Sequence, residues 1–141
     1  MGLMWRDQLS VGNDVIDADH KYLIGIINDV ELNLQQKNRA ELALSLKKLT
    51  EYSLMHFTLE EKFAQAVGYT RTEHLNNSHK ALMEQLEQAK IEFEAMGEDW
   101  SPETIHHFTN LLRNWLIEHV IKEDLMMKPA MQKYSPSFDP R

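Results

Sequence analysis

The chain has 141 residues, of which 43% are hydrophobic, and a formal net charge of −7 with neutral histidines. That length suits one domain with a core large enough to fold alone. The absence of cysteine excludes disulfides, thiolate zinc sites, iron–sulfur clusters and cysteine nucleophiles. No run of Lys or Arg is longer than the pair Lys47-Lys48, so the basic stripe that nucleic acid demands is missing. No apolar stretch approaches the ~18 residues of a membrane span, and the opening MGLMWRDQLSVGND lacks a basic region followed by an apolar run, so neither membrane nor secretory leader is expected. A soluble cytoplasmic protein is the default expectation.

Residues 1–16, with Gly12 and Asn13, read as an irregular N-terminal arm tacked to the body by Trp5. A first helix is expected over roughly 18–36, with Asp17 or Asp19 as N-cap, and its apolar seam is His20, Leu23, Ile27, Val30 and Leu34. Asn38 and Glu41 have capping-box spacing and open a second helix over 39–67, which Gly68 stops. Its seam is Leu42, Leu46, Leu49, Ser53, His56, Glu60, Phe63 and Val67, in the steps of four and three that mark the inward stripe of a bundled helix. Thr70 and Glu73 repeat the capping spacing before a third helix over 71–96, whose seam carries Leu75, His79, Leu82, Leu86, Ala89, Phe93 and Met96. Ser101-Pro102-Glu103 opens a fourth helix over 102–128, with seam residues Ile105, Phe108, Leu112, Trp115 and His119. Residues 135–141, with two prolines, read as coil. Long helices with short links and no strand-like alternation predict an all-α, up-down-up-down four-helix bundle.

Polar residues interrupt these seams in a pattern. His20, His56, His79 and His119 supply one histidine per helix, and Glu60 shares a face with His56 one turn away. Taken singly, each has an ordinary explanation. A lone seam histidine is usually a hydrogen-bonded core residue, HxxxE is common by chance, and Glu60 could pair with a lysine across the bundle. One seam histidine on every helix weakens those explanations together. A buried carboxylate with no adjacent cation is expensive unless a metal satisfies it. Imidazole and carboxylate donors without thiolate favour iron, manganese, copper or zinc. Glu103-x-x-His106 matches half of the ExxH pattern of ferritin-like di-iron carboxylate enzymes, which need two such motifs, and reads instead as a solvated helix end beside His107.

The order DxDH (Asp17 to His20), HFxxEE (His56 to Glu61), a downstream His79 and WLxxHxxxxD (Trp115 to Asp124) resembles the hemerythrins, most of all the single-domain bacteriohemerythrins. The likeness covers nearly the whole chain. It implies a four-helix bundle holding two Fe ions as a non-haem di-iron centre with a bridging oxo or hydroxo group, and reversible binding of O2 as ligand. Carried over by position, Glu60 and Asp124 would bridge the ions, His20 and His56 would bind the one with an open position, and His79 and His119 would bind the other. Phe57, Trp115 and Leu116 match an apolar oxygen pocket.

The family places its two third-helix ligands as HxxxH. Here Leu75 occupies the first of these positions, and the available residue is His74, giving HxxxxH. In a regular helix, i and i+5 differ by about 140° in direction, against about 40° for i and i+4. A one-residue π-bulge between His74 and His79 would bring both to one ion; otherwise His74 is a surface residue. With no general base evident beside the pocket, binding rather than enzymatic turnover is expected: an oxygen carrier, store or scavenger. The alternatives are a sensor of oxygen, nitric oxide or redox state that signals to a partner, and a di-iron oxidase, peroxidase or iron-handling protein. A monomer or weak homo-oligomer is expected, and the sequence names no protein partner.

Overall fold

The computed structural model describes residues 2–97 and 100–141, and all regular structure among them is helical. A short 3-10 turn at Asp7–Leu9 precedes α1 (Asp14–Gln35), α2 (Arg39–Ala66) and α3 (Thr72–Ala95). The fourth arm is composite: α4 (Pro102–Asn114) runs into a π-helical segment (Trp115–Ile121), then α5 (Lys122–Leu125) and, after a turn, α6 (Lys128–Met131). α1 packs on α2 and α2 on α3, and the fourth arm returns against α1 and α3, closing a four-helix bundle. No helix among the described residues is long and apolar enough to cross a membrane.

The helix ends follow local chemistry. α1 starts earlier than the sequence suggested, because Asn13, not Asp17 or Asp19, is its cap. The extended Asn13 accepts hydrogen bonds from the amides of Val15 and Ile16 at 3.0 and 3.1 Å. Asp17 sits inside the first turn, where a negative charge suits the helix dipole, and its carboxylate accepts from the Val11 amide of the arm. Asn38 accepts from the Glu41 amide. At the end of α2, Gly68 takes φ +69, a conformation costly for any residue with a Cβ, and the Tyr69 amide closes back on the Ala64 carbonyl at 2.9 Å. The Thr70–Glu73 box does not form: α3 begins one residue later than that spacing requires, with Arg71 at the cap position and no side-chain cap. Ser101 caps α4 through the Thr104 amide.

The tail is coil but tied down. The Asp14 amide donates to the Pro136 carbonyl at 2.8 Å, Asn13 Nδ2 donates to the Phe138 carbonyl at 2.9 Å, and the Phe138 ring meets Phe63 edge-on. It therefore covers the start of α1.

The core divides into two apolar blocks. The larger includes Leu23, Leu49, Phe57, Leu82, Trp115, Leu116, Val120 and Ile121. The smaller includes Ile16, Phe63, Leu75, Met127 and Met131. Between them lies a buried polar layer, His20, Ser53, His56, Glu60, His79 and Asp124. Each helix passes from one block through this layer into the other, as α1 does over Ile16, His20 and Leu23.

Candidate metal centre

The regular 3.6-residue period of α1 and α2 aims His20, His56 and Glu60 at the bundle axis, and Asp124 enters from α5. One donor atom from each lies within 4.8 Å of all the others. His20 Nε2 is 2.7 Å from Asp124 Oδ2. His56 Nε2 is 2.6 Å from Glu60 Oε1 and 3.6 Å from Asp124 Oδ2. His79 adjoins the group from α3, its Nε2 3.9 Å from Glu60 Oε1. Glu60 thus stands between two imidazoles, and Asp124 between two as well.

Many of these donors are orphaned. Glu60 Oε2, His20 Nδ1 and both ring nitrogens of His79 are buried without a hydrogen-bond partner, and Glu60 Oε1 and His56 Nε2 have only their close contact with each other. An unpaired buried polar atom costs about 1–3 kcal/mol, so a fold that gathers these groups is poorly arranged for itself and well arranged for a cation. The titration pattern agrees. Burial, reinforced by the charge of Asp124, pushes the Glu60 carboxyl well above its ordinary value. Burial also favours protonating Asp124, but hydrogen bonds with Glu60, His20 and His56 outweigh it and hold that carboxyl below the usual range. Burial lowers His20 against the pull of Asp124, and it lowers His79 to about 4. Burial acts the same way on His56, yet the facing Glu60 carboxylate and the bonds to Asp124 and Asp19 hold it well above the ordinary histidine value.

Residues 11–131 match the sequence profile of the hemerythrin HHE cation binding domain. The chain belongs to this hemerythrin family. The bacteriohemerythrin of Pseudomonas aeruginosa (strain LESB58) is 31% identical over 86% of this chain and 76% of its own. That of Methylococcus capsulatus is 28% identical over 93% of this chain and 98% of its own. A hemerythrin-like protein of Naegleria gruberi is 24% identical over 90% and 92%. Family and cluster together point to a non-haem metal site. The chemistry of the donors fits it: imidazole and carboxylate, no sulfur, unpaired and buried.

Two histidines expected at this hemerythrin site lie elsewhere. His119 is exposed, in an open groove between α3 and the π segment that Glu118, Lys122 and Glu123 also line. The seam reading carried an α-helical step through residues 115–121, but a π turn closes i to i+5. The inward positions become Trp115 and Leu116, then Val120 and Ile121, then Asp124, and His119 rotates out. The wide turn that the sequence suggested for α3 is in the fourth arm. α3 itself is regular α-helix from Thr72, so His74 is not brought beside His79; half-exposed, its Nε2 pairs with Glu123 Oε1 at 2.6 Å. His106 and His107 are exposed and line, with Glu103, an open cavity of about 710 Å³ that reaches Trp115 and His119.

Phe57, Trp115 and Leu116 are buried and wall the cluster. The Phe57 ring stacks on His79 with centroids 4.2 Å apart and lies 6.4 Å from Trp115, whose indole N–H donates to the Leu82 carbonyl at 2.9 Å. Sequence reasoning overlooked the groups behind His56. Its Nδ1 is 2.9 Å from Asp19 Oδ2, and Tyr52 donates to Asp19 Oδ1 at 2.7 Å. The signal was present: Tyr52 and His56 share a face of α2, and Asp19 immediately precedes His20.

Proposed function

We propose that this chain binds O2 reversibly at a non-haem di-iron centre, as an oxygen carrier, store or scavenger rather than an enzyme. The observation that carries the reading is the buried layer of imidazoles and carboxylates whose donor atoms lack partners within the protein. Two ferrous ions held by these residues would supply the two electrons that reversible O2 binding needs. His20, His56, Glu60 and Asp124 would hold the first ion. Glu60 and Asp124, shared with His79, would begin the second site, since Glu60 faces His56 on one side and His79 on the other. His119 would have to turn inward to complete it, whereas His74, on a regular stretch of α3, would stay paired with Glu123.

The chain's own contribution is positioning and exclusion of water. Four helices fix the donors, and Phe57, Trp115 and Leu116 keep bulk solvent from the cluster. Those wall residues offer bound oxygen no free proton donor or acceptor, since the Trp115 N–H is already committed to Leu82. That favours binding over turnover. Protein loaded anaerobically with Fe(II) and then exposed to air should gain visible absorption that fades on deoxygenation, with two irons counted per chain. His56→Ala and Glu60→Ala should lose that absorption. Colourless, iron-free protein after Fe(II) loading would overturn the reading.

A further inference from the structure

We infer that Asp19, itself held by Tyr52, is the residue that positions His56 as the anchored ligand of the metal centre. The inference rests on the metal reading above and adds the group that sets one ligand's orientation and strength. Asp19 comes from α1 and Tyr52 and His56 from the same face of α2, so the contact also ties the two helices together. Both carboxylate oxygens are engaged: Oδ2 accepts from His56 Nδ1 at 2.9 Å and Oδ1 from the Tyr52 hydroxyl at 2.7 Å. Tyr52 is in turn stacked on Tyr22, ring centroids 4.4 Å apart and planes 25° from parallel.

The geometry has a definite chemical result. With the Nδ1 proton committed to Asp19, Nε2 is the ring nitrogen left to coordinate, and it already points at Glu60 and Asp124. A carboxylate on the far nitrogen also increases the electron-donating power of the imidazole, a common arrangement behind metal-binding histidines. The neighbouring imidazoles have weaker support. His20 Nδ1 is buried without a partner, and the carboxylate facing His79 Nδ1, Glu61, stands at 3.7 Å, beyond hydrogen-bond reach. The first ion should therefore owe more of its affinity to the Asp19–His56 pair than to either of the other rings' surroundings.

The test is Co(II) binding to the full chain, measured by competition against a chelator and by the cobalt d–d spectrum, for wild type, Asp19→Ala, Asp19→Asn and Tyr52→Phe. Asp19→Ala should weaken Co(II) about 10–100-fold, the usual cost of removing such a partner, and shift the d–d bands. Asp19→Asn keeps an oxygen for Nδ1–H and should lose less; Tyr52→Phe should also lose less. Circular dichroism of the metal-free variants separates these effects from unfolding, and if Asp19→Ala fails to fold, the other two variants carry the comparison. Unchanged affinity and spectrum in every folded variant would overturn the inference, as would equal losses that simply track lower melting temperatures. Wild-type protein that binds no Co(II) would overturn the metal reading first, and this one with it.

Discussion

Replacing Glu60 by leucine should make the metal-free protein more stable and the metal-loaded protein less so. Glu60 is fully buried on the α2 seam, at a position where the helical step otherwise calls for an apolar residue. Its Oε2 has no hydrogen-bond partner, its Oε1 has only the close contact with His56, and burial beside Asp124 penalises its charged form. Removing such a group recovers about 1–3 kcal/mol, and leucine adds apolar contact with Phe63 and its neighbours on the seam. The offset is modest, because His56 still faces Asp124 at 3.6 Å and Asp19 at 2.9 Å. At roughly 3–4 °C per kcal/mol for a chain of this size, Glu60→Leu should raise the melting temperature of metal-stripped protein by about 3–10 °C. Metal present at a hundred times its dissociation constant stabilises the wild type by about 2.7 kcal/mol and should do little for the variant, so the order of the two melts reverses. Circular dichroism melts with chelator and with Fe(II) or Zn(II) give both comparisons. A lower melting temperature for the stripped variant, or the same metal-dependent rise in both proteins, would refute the claim that Glu60 is kept for a cation.

Acid sensitivity should follow His79. Its folded value of about 4 lies below the ordinary 6.5, so the folded chain prefers the neutral ring while the unfolded chain takes up a proton below 6.5. The corresponding stability is full above pH 6.5 and drains, by up to about 3 kcal/mol, as pH falls toward 4. Urea midpoints of metal-free wild type should therefore drop across that window, and those of His79→Leu should drop less. Iron counting separates the two outlying histidines. His119→Ala should reduce iron from two per chain toward one if His119 turns inward on loading, as the di-iron proposal requires. His74→Ala should leave the count unchanged, since its ring is half-exposed and paired with Glu123. Asn13→Ala removes the cap of α1 and the anchor of the Phe138 carbonyl. It should lower stability by about 1 kcal/mol or somewhat more in thermal melts.

The sequence made the bundle legible because α1, α2 and α3 keep a regular period. Steps of four and three along a uniform helix show which side chains face inward, and His20, His56, Glu60 and His79 are buried where that stepping places them. The same arithmetic failed at His119, where seven residues wind as a π-helix and one extra residue per turn turns the side chain outward. Nothing in WLIEHVI marks that change by composition alone. The start of α1 departs from the expected Asp17 or Asp19 cap for a different reason. Asn13, Asp17 and Asp19 are all competent caps, and only the backbone shows that Asp17 and Asp19 serve the arm and His56 instead. Support groups such as Asp19 and Tyr52 are hard to see because they sit just off the seam, where polar residues are ordinary.

The split of the core gives this bundle an unusual mechanical character. Apart from Leu125, which touches both, no hydrophobic side chain among those grouped in either block belongs to the other. The two greasy ends therefore communicate through the polar stratum, and a cation seated there works as a rivet: loaded, the ends are coupled through its ligands, whereas stripped, unpaired buried polar atoms leave the joint weaker. Damage at one end should then simply sum with damage at the other when the rivet is out, and become interdependent when it is in.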